Sequence, residues 1–150
     1  MTLRARRARC LPLVIAMGAA ISCTTASAPP VERFVVRSSW ARIADSGATS
    51  GAYLEIVNND SVSRSLVGVV TDDAAAAEVH ETMQHEGMAH MMPRTDLPIA
   101  AGAIVTMQPG GVHVMLIDVR RALAEGDSVR LRLRFSDSTD VPVTVPVKTP

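Results

Sequence analysis

The chain has 150 residues, enough for one domain and too few for two of ordinary size. Its 15 basic and 15 acidic residues balance, and loss of an N-terminal leader with four arginines would leave 11 basic against 15 acidic residues. A domain with this mildly acidic charge and only four aromatic residues lacks the basic, stacking surface of nucleic-acid-binding proteins. The composition therefore predicts no nucleic-acid partner.

The N-terminus has the pattern of an export signal. A basic stretch with four arginines precedes an apolar run from Leu11 to Ile21, which is too short to cross a bilayer as a helix. Ala20-Ile21-Ser22-Cys23 resembles the processing box of lipoproteins. We predict a signal peptide over residues 1–23 and a protein in the periplasm or on the outer face of a membrane, tethered through lipidated Cys23. Cleavage after Ala26 without lipidation, or a short uncleaved anchor, is the alternative.

No cysteine is left for chemistry in the mature domain. Cys10 lies in the predicted signal, and Cys23 is either lipidated or removed. A disulfide framework, a thiolate zinc site and a cysteine nucleophile are therefore excluded. Any soft metal bound by this domain needs ligands other than cysteine.

After the signal, the sequence predicts a flexible linker over residues 24–30 and an all-β domain over residues 31–150. Short apolar or alternating segments are separated by turn residues such as Asn58-Asn59-Asp60 and Pro109-Gly110-Gly111. The predicted strands cover residues 34–36, 52–57, 65–71, 103–107, 112–119, 129–135 and 141–147. This many short strands indicates an antiparallel sandwich or barrel.

Helix is expected only in two short segments. Residues 73–78 are alanine-rich and residues 120–125 precede Gly126-Asp127, so each could form a turn or two of helix. Pro142 and Pro146 restrict the last predicted strand to a sheet edge or to a strand end.

Histidine and methionine are concentrated in one part of the domain. All four histidines and six of the eight methionines fall within residues 80–115, and the other two methionines belong to the signal. Core packing would scatter methionine over several strands. Thioether sulfur is soft and neutral, which suits Cu(I) and makes it a poor ligand for zinc, magnesium or calcium. This stretch therefore predicts a Cu(I) site.

The spacing is compatible with a site that four of these side chains form at one rim, and Met88 and Met92 lie near Met91 as alternatives to it. His113 and Met115 are two residues apart on a predicted strand, so both point to the same face. His80 ends an alanine-rich run, and Met91 follows an excursion that could form a hairpin and return to the same rim. We predict that one copper ion is bound by His80, Met91, His113 and Met115.

The pattern His80-x10-Met91-x21-His113-x-Met115 resembles the signature of the periplasmic copper chaperone family PCu(A)C. The similarity extends over most of the mature chain and includes Ser39-Trp40-Ala41-Arg42, Gly51-Ala52-Tyr53-Leu54 and Glu125-Gly126-Asp127. It implies a cupredoxin-like, Greek-key antiparallel β-sandwich. It also implies delivery of Cu(I) to a receiving protein, either a cytochrome c oxidase subunit or a second copper chaperone. We expect the protein to be a monomer.

The segment between His80 and Met91 departs from the family. Met92 precedes Pro93 where the family usually has arginine, and three further potential ligands are present: His85, Met88 and His90. We interpret His85 and His90 as solvated loop residues, with a second, Cu(II) site at these two left open. Met83 is interpreted as a hydrophobic lid or packing residue, and Met107 as part of the core.

Two other functions remain compatible with the sequence. One is a copper-buffering or resistance protein without a dedicated client. The other is a metal-free β-sandwich interaction module whose methionines form an adaptable protein-binding surface. An enzyme is not expected, because no serine lies in a nucleophile elbow and no carboxylate pair stands out. Blue-copper electron transfer is disfavoured by the lack of a cysteine thiolate.

Overall fold

The computed structural model describes residues 32–85 and 87–149, so the predicted signal peptide and linker lie outside the described residues. The regular structure of this part of the chain consists of ten strands: β1 (Phe34–Arg42), β2 (Ser50–Asn58), β3 (Arg64–Val70), β4 (Ala74–His85), β5 (Met88–Pro93), β6 (Leu97–Ile99), β7 (Ile104–Thr106), β8 (Val112–Val119), β9 (Ser128–Phe135) and β10 (Asp140–Lys148). No helix among the described residues has the length and apolar character needed to cross a membrane.

The strands form one hydrogen-bonded path in the order β5-β4-β8-β2-β1-β10-β9-β3-β6, with β7 pairing to β2. All neighbouring pairs are antiparallel except β1 and β10, which share a short parallel ladder at Ala41↔Val147 and Arg42↔Lys148. This ladder joins two antiparallel layers, one running from β5 to β1 and the other from β10 to β6. The prediction of an antiparallel β-sandwich is confirmed.

The core lies between the two layers. Buried side chains come from both of them, and the rings of Phe34 on β1 and Phe135 on β9 stack at 3.7 Å between centroids. In β9 the apolar side chains are buried while the alternating arginines are exposed. That alternation is the one expected for a strand with one face on the core and the other in water.

The predicted helix at residues 73–78 is wrong, because this segment belongs to β4. Ala76 and Ala77 pair with Ile117 and Leu116 of β8, and Val79 is buried in the core. Alanine favours a helix only weakly, by tenths of a kcal/mol to about 1 kcal/mol per residue, so pairing and burial override it.

The predicted helix at residues 120–125 is also wrong. Leu123 is buried and exchanges two backbone hydrogen bonds with Ala44, at 2.8 and 3.1 Å. The Asp127 carboxylate accepts hydrogen bonds from the Ala124 N–H at 2.9 Å and from the Arg121 guanidinium at 3.0 Å, which lower the pKa of Asp127. These contacts fix the segment as a turn that connects β8 to β9.

The two prolines of β10 lie where the expectation placed them. Residues 140–146 of β10 pair with β9 alone, and the ladder to β1 begins only at Val147. At Pro142 and Pro146, β10 has only one neighbouring strand. The missing N–H groups of the two prolines therefore break no hydrogen bond to a second strand.

Candidate metal centre

The pairing of β4 with β8 places three of the four predicted ligands on one face of the sheet. His80 lies directly across from His113, and Glu78 lies directly across from Met115. Directly opposite residues, and residues two apart on a strand, project from the same face. Val79 and Val114 occupy the alternate positions and are buried in the core. The two histidines and Met115 therefore lie on the outer face of this layer.

The fourth predicted ligand comes from the hairpin of β4 and β5, residues 81–93, which we call the ribbon. Pairing of β4 with β8 ends at Glu81↔Val112, and beyond it β4 pairs with β5 alone. Met91 lies across from Thr82, which is two residues from His80. Met91 is therefore on the same face as the two histidines.

Three of the predicted ligands border a common pocket. A cavity of about 320 Å³ is lined by Met91, His113 and Met115, together with Gly51 and Tyr53 of β2. His80 lies beside it, with its ring centroid 6.3 Å from that of His113. Metal–nitrogen bonds of about 2 Å from one nitrogen of each ring would give a centroid separation of roughly 5–6 Å. The observed separation is slightly longer than this range, so a small inward movement of the rings would let both bind one ion.

His113 is held in one orientation by the turn that precedes β8. Its side chain is only 6% exposed, and its Nδ1 lies 3.0 Å from the carbonyl oxygen of Gly111. A carbonyl oxygen only accepts, so Nδ1 carries the proton and donates it, and Nε2 keeps its lone pair. The fold therefore leaves Nε2 as the His113 nitrogen with a lone pair available to a ligand.

His80 is oriented by a carboxylate. Its Nε2 lies 2.9 Å from Oε2 of Glu78, two residues earlier on the same strand. An ionised carboxylate only accepts, so Nε2 donates and Nδ1 has the lone pair. This Nδ1 is buried and has no hydrogen-bond partner among the described residues. A carboxylate behind one imidazole nitrogen and a free lone pair at the other is the usual arrangement of a metal-binding histidine.

The four side chains differ strongly in exposure. The side chain of His80 is 12% exposed and His113 is 6% exposed, whereas Met91 on the ribbon is 56% exposed. Met115 is half-buried between these extremes. No cluster of three or more histidine, cysteine, aspartate or glutamate side chains suited to a metal occurs in the described ranges. The four predicted ligands would together supply two imidazoles and two thioethers, and this combination fits a soft, monovalent ion.

An aromatic pair borders the same face. The Tyr53 ring lies 6.2 Å from the His113 ring, and Trp40 lies 4.5 Å from Tyr53. A Cβ atom at Gly51 would be 2.7 Å from the Tyr53 hydroxyl oxygen, so a residue without a side chain is needed beneath this ring. Trp40 is partly buried and Tyr53 is buried, and the two rings pack against each other beside His113.

The sequence analysis missed two residues that shape the site. Glu78 orients His80, and its position two residues before His80 on a strand is a signal that could have found it. Gly51, which pairs with Met115, leaves room for the Tyr53 hydroxyl group. This role is visible only in the structure.

The other predicted features of this region are also placed by the structure. Met107 is 2% exposed and belongs to the core, as predicted. Met83 and His90 pair with each other on the ribbon, and His85 pairs with Met88 by backbone register. The interpretation of His85 and His90 as loop residues is wrong for the backbone, because both lie at positions of regular strands.

The sequence matches a known family over most of its length. A model of the LpqE-like family, described as "Putative lipoprotein LpqE-like", matches residues 34–147. The protein "Putative lipoprotein Lxx21020" of Leifsonia xyli subsp. xyli is 34% identical over 114 residues, which cover 75% of this chain and 68% of that protein.

Solved structures show the same fold. The copper-bound PCuAC domain from PmoF2 superposes with a TM-score of 0.66 at 22% identity, covering 79% of this chain and 95% of that domain. The solution structure of CuI-DR1885 from Deinococcus radiodurans superposes with a TM-score of 0.58 at 30% identity, covering 84% of this chain and 83% of that one. The predicted resemblance to the PCu(A)C family and its cupredoxin-like sandwich is confirmed. The chain belongs to the LpqE-like family and has the fold of its PCu(A)C-type copper domains.

Proposed function

We propose that this protein is an exported copper chaperone that binds one Cu(I) ion through His80, Met91, His113 and Met115. The observation that carries the proposal is the buried Nδ1 of His80, which has no hydrogen-bond partner among the described residues. It lies on the face that also holds the imidazole of His113 and the two thioethers. A buried nitrogen without a partner is costly unless a ligand satisfies it. A metal ion is the ligand that suits this donor set.

The donor chemistry favours Cu(I) over other ions. All four donors are neutral, so the single positive charge of Cu(I) is bound without burial of additional anions. Zinc would prefer thiolates, imidazoles and carboxylates over two thioethers. Thioethers also avoid the disulfide exchange and oxidation to which thiolates are exposed outside the cytoplasm. We propose no catalytic role for the bound ion.

Transfer would proceed by ligand exchange that starts at Met91. This side chain is the most exposed of the four, so an incoming donor from a receiving protein can replace its sulfur first. Met115 would follow, and the imidazoles held by Gly111 and Glu78 would release the ion last. Each step exchanges one copper–ligand bond for another, and copper remains Cu(I) throughout.

The receiving protein and the location belong to the same proposal. We propose a copper-receiving partner such as a cytochrome c oxidase subunit or a second copper chaperone. The likeness to LpqE-like lipoproteins supports export and a lipid anchor. We propose a monomer in the periplasm or on the outer face of a membrane, tethered through lipidated Cys23. A linker over residues 24–30 would then give the domain reach from the membrane surface.

An anaerobic Cu(I) titration against a chromogenic chelator tests the binding step. We expect one tight equivalent in the wild-type protein and its loss or strong weakening in His113→Ala and Met115→Ala. Met107→Leu is the matched control, because it removes a buried thioether from outside the site. If the wild-type protein cannot compete with the chelator, copper binding is ruled out and a metal-free interaction module becomes the better account.

A transfer assay separates delivery from storage. Loaded protein is mixed with the apo copper domain of the oxidase or with a candidate second chaperone, and the copper in each protein is measured after separation. A chaperone passes its ion to the acceptor without appearance of free Cu(I) at the chelator. Retention of copper in the presence of each acceptor would favour a copper-buffering protein instead.

A further inference from the structure

The ribbon carries a second group of soft donors on the face that points away from His80. Met83 lies directly across from His90, and Met92 lies directly across from Glu81. Met88 and Met92 are each two residues from His90 on β5. Opposite residues and alternate residues share a face of a hairpin. One face of the ribbon therefore holds Met83, Met88, His90 and Met92. Met91 lies on the other face, with the site already described.

Three of these side chains at a time are close enough to bind one ion. Directly opposite residues of an antiparallel pair have Cβ atoms about 4.5–5.5 Å apart, which places Met83 against His90. Residues two apart on a strand are separated by roughly 6.5–7 Å, so Met88 and Met92, on either side of His90, are about 13–14 Å apart. Only one of these two methionines at a time can therefore share an ion with Met83 and His90. Methionine has three rotatable bonds, so its sulfur adapts to a common centre.

The group is open to solvent. Met83, Met88 and Met92 are 51%, 59% and 54% exposed, and His90 is exposed as well. The same face of β4 is buried lower down, at Val79, but the ribbon continues past the end of β8. These thioethers therefore do not serve the core, and their placement needs another explanation.

Composition argues for a metal rather than a protein on this face. Residues 81–93 contain two histidine or methionine positions on one side of the turn and four on the other. Hot spots of protein interfaces are enriched in tryptophan, tyrosine and arginine, and this segment contains none of the three. Thioether and imidazole together are what a soft cation selects.

We propose that Met83 and His90, together with either Met88 or Met92, form a second Cu(I) site, weaker than the first and on the opposite face of the ribbon. Two thioethers and one imidazole favour Cu(I) over Cu(II). The site is weaker because its donors are exposed and are held by a two-stranded hairpin alone, whereas the first site is built on paired strands of the sheet. Glu81 does not contribute a free charge, since its carboxylate accepts from Arg94 at 2.7 Å. The inference does not depend on the first site.

Methyl NMR resolves the two sites in the intact protein. Protein labelled with [methyl-13C]methionine is titrated anaerobically with Cu(I), after assignment of each signal by a Met→Leu variant. We expect the first equivalent to shift Met91 and Met115, and the second to shift Met83 together with Met88 or Met92. The signal of Met107 is the internal control and stays in place. Ribbon methyls that do not move at two equivalents would overturn the proposal.

Variants give the second readout. In a His113→Ala/Met115→Ala background we expect one weaker equivalent to remain, and we expect His90→Ala/Met92→Leu added to that background to remove it. Single Met83→Leu should weaken this equivalent about tenfold or more, since even outer partners of a metal ligand contribute at least that much. Amide spectra check that each variant is folded. If the His113→Ala/Met115→Ala variant binds no copper, the ribbon site is excluded. If this variant binds one Cu(I) ion but the wild-type protein has no tight site, the ribbon site stands and the proposed chaperone site is excluded.

Discussion

The sheet at His113 and the ribbon at Met91 hold two of the proposed copper ligands in opposite physical settings. His113 is 6% exposed, paired on a strand with neighbours on both sides, and hydrogen-bonded at Nδ1 to Gly111. Met91 is 56% exposed on a strand that pairs with β4 alone. A rigid donor fixes geometry and affinity, whereas an exposed donor offers a point of entry for an incoming ligand. One site can therefore combine retention and exchange.

The electrostatic setting follows the same division. The histidines are each oriented by an acceptor, a backbone carbonyl for His113 and the Glu78 carboxylate for His80. The methionines need no such acceptor, because a thioether has no proton to place. The side chains that are held in one orientation before metal binding are therefore concentrated in the sheet and not in the ribbon.

The largest effect is expected from removing a donor of the sheet. His113→Ala should weaken the tight Cu(I) site by about 100-fold or more, because it removes a ligand and not merely an outer partner. His90→Ala, the matched change on the ribbon, should leave the affinity of the tight site unchanged. Competition with a chelator measures both. Equal losses in the two variants would contradict the division between sheet and ribbon.

The next effect tests the packing that supports the sheet side. In Gly51→Ala the new methyl group would lie 2.7 Å from the Tyr53 hydroxyl oxygen, and Tyr53 is buried. Overpacking of this kind lowers the free energy of unfolding by about 1–3 kcal/mol. Gly68→Ala is the control, since its Cβ would meet no atom within 4 Å. Denaturant melts of both variants provide the comparison, and similar midpoints would show that Tyr53 yields freely.

A pair of adjacent methionines tests the register of the ribbon. Met91→Leu should weaken the tight site about tenfold, which corresponds to about 1.4 kcal/mol. Met92→Leu should have no effect on it, because Met92 lies across from Glu81 on the other face. Both side chains are about equally exposed, at 56% and 54%, so solvent access is matched. The reverse result would indicate a register shifted by one residue.

The smallest effect is expected at the carboxylate that orients His80. Glu78→Gln keeps the size of the side chain but turns its acceptor into an amide that can orient either way. We expect at most a tenfold loss of Cu(I) affinity. This is the low end of the effect of a residue that hydrogen-bonds to a metal ligand, because Glu78 is half exposed. Nitrogen-15 spectra of the imidazole report the tautomer of His80 directly. An unchanged tautomer together with unchanged affinity would remove Glu78 from the account.

Much of the fold followed from the sequence because its strands alternate clearly. The segment at residues 129–135 places apolar residues against arginines, and it forms β9 with that alternation of burial. Residues 74–78 gave no such signal, since a run of alanine carries neither a strand period nor bulk, and only pairing with β8 makes it a strand. Short segments of this kind are decided by tertiary contacts.

The candidate site, like the fold, was only partly predictable from the sequence. The two-residue spacing of His113 and Met115 fixes a shared face once the segment is a strand. The face of Met91 depends on the register of the hairpin, and a shift of one residue would exchange it with Met92. The acceptor roles of Gly111 and Glu78 depend on side-chain geometry, which spacing alone does not determine.

The most direct test of the central claim is X-ray absorption spectroscopy at the copper edge of protein loaded anaerobically with one equivalent of Cu(I). The account predicts a monovalent edge and a first shell with both nitrogen and sulfur, from two imidazoles and two thioethers. It also predicts that His113→Ala reduces the imidazole scattering while Met92→Leu leaves the spectrum unchanged. A first shell without sulfur, or a spectrum altered by Met92→Leu, would contradict the site of His80, Met91, His113 and Met115.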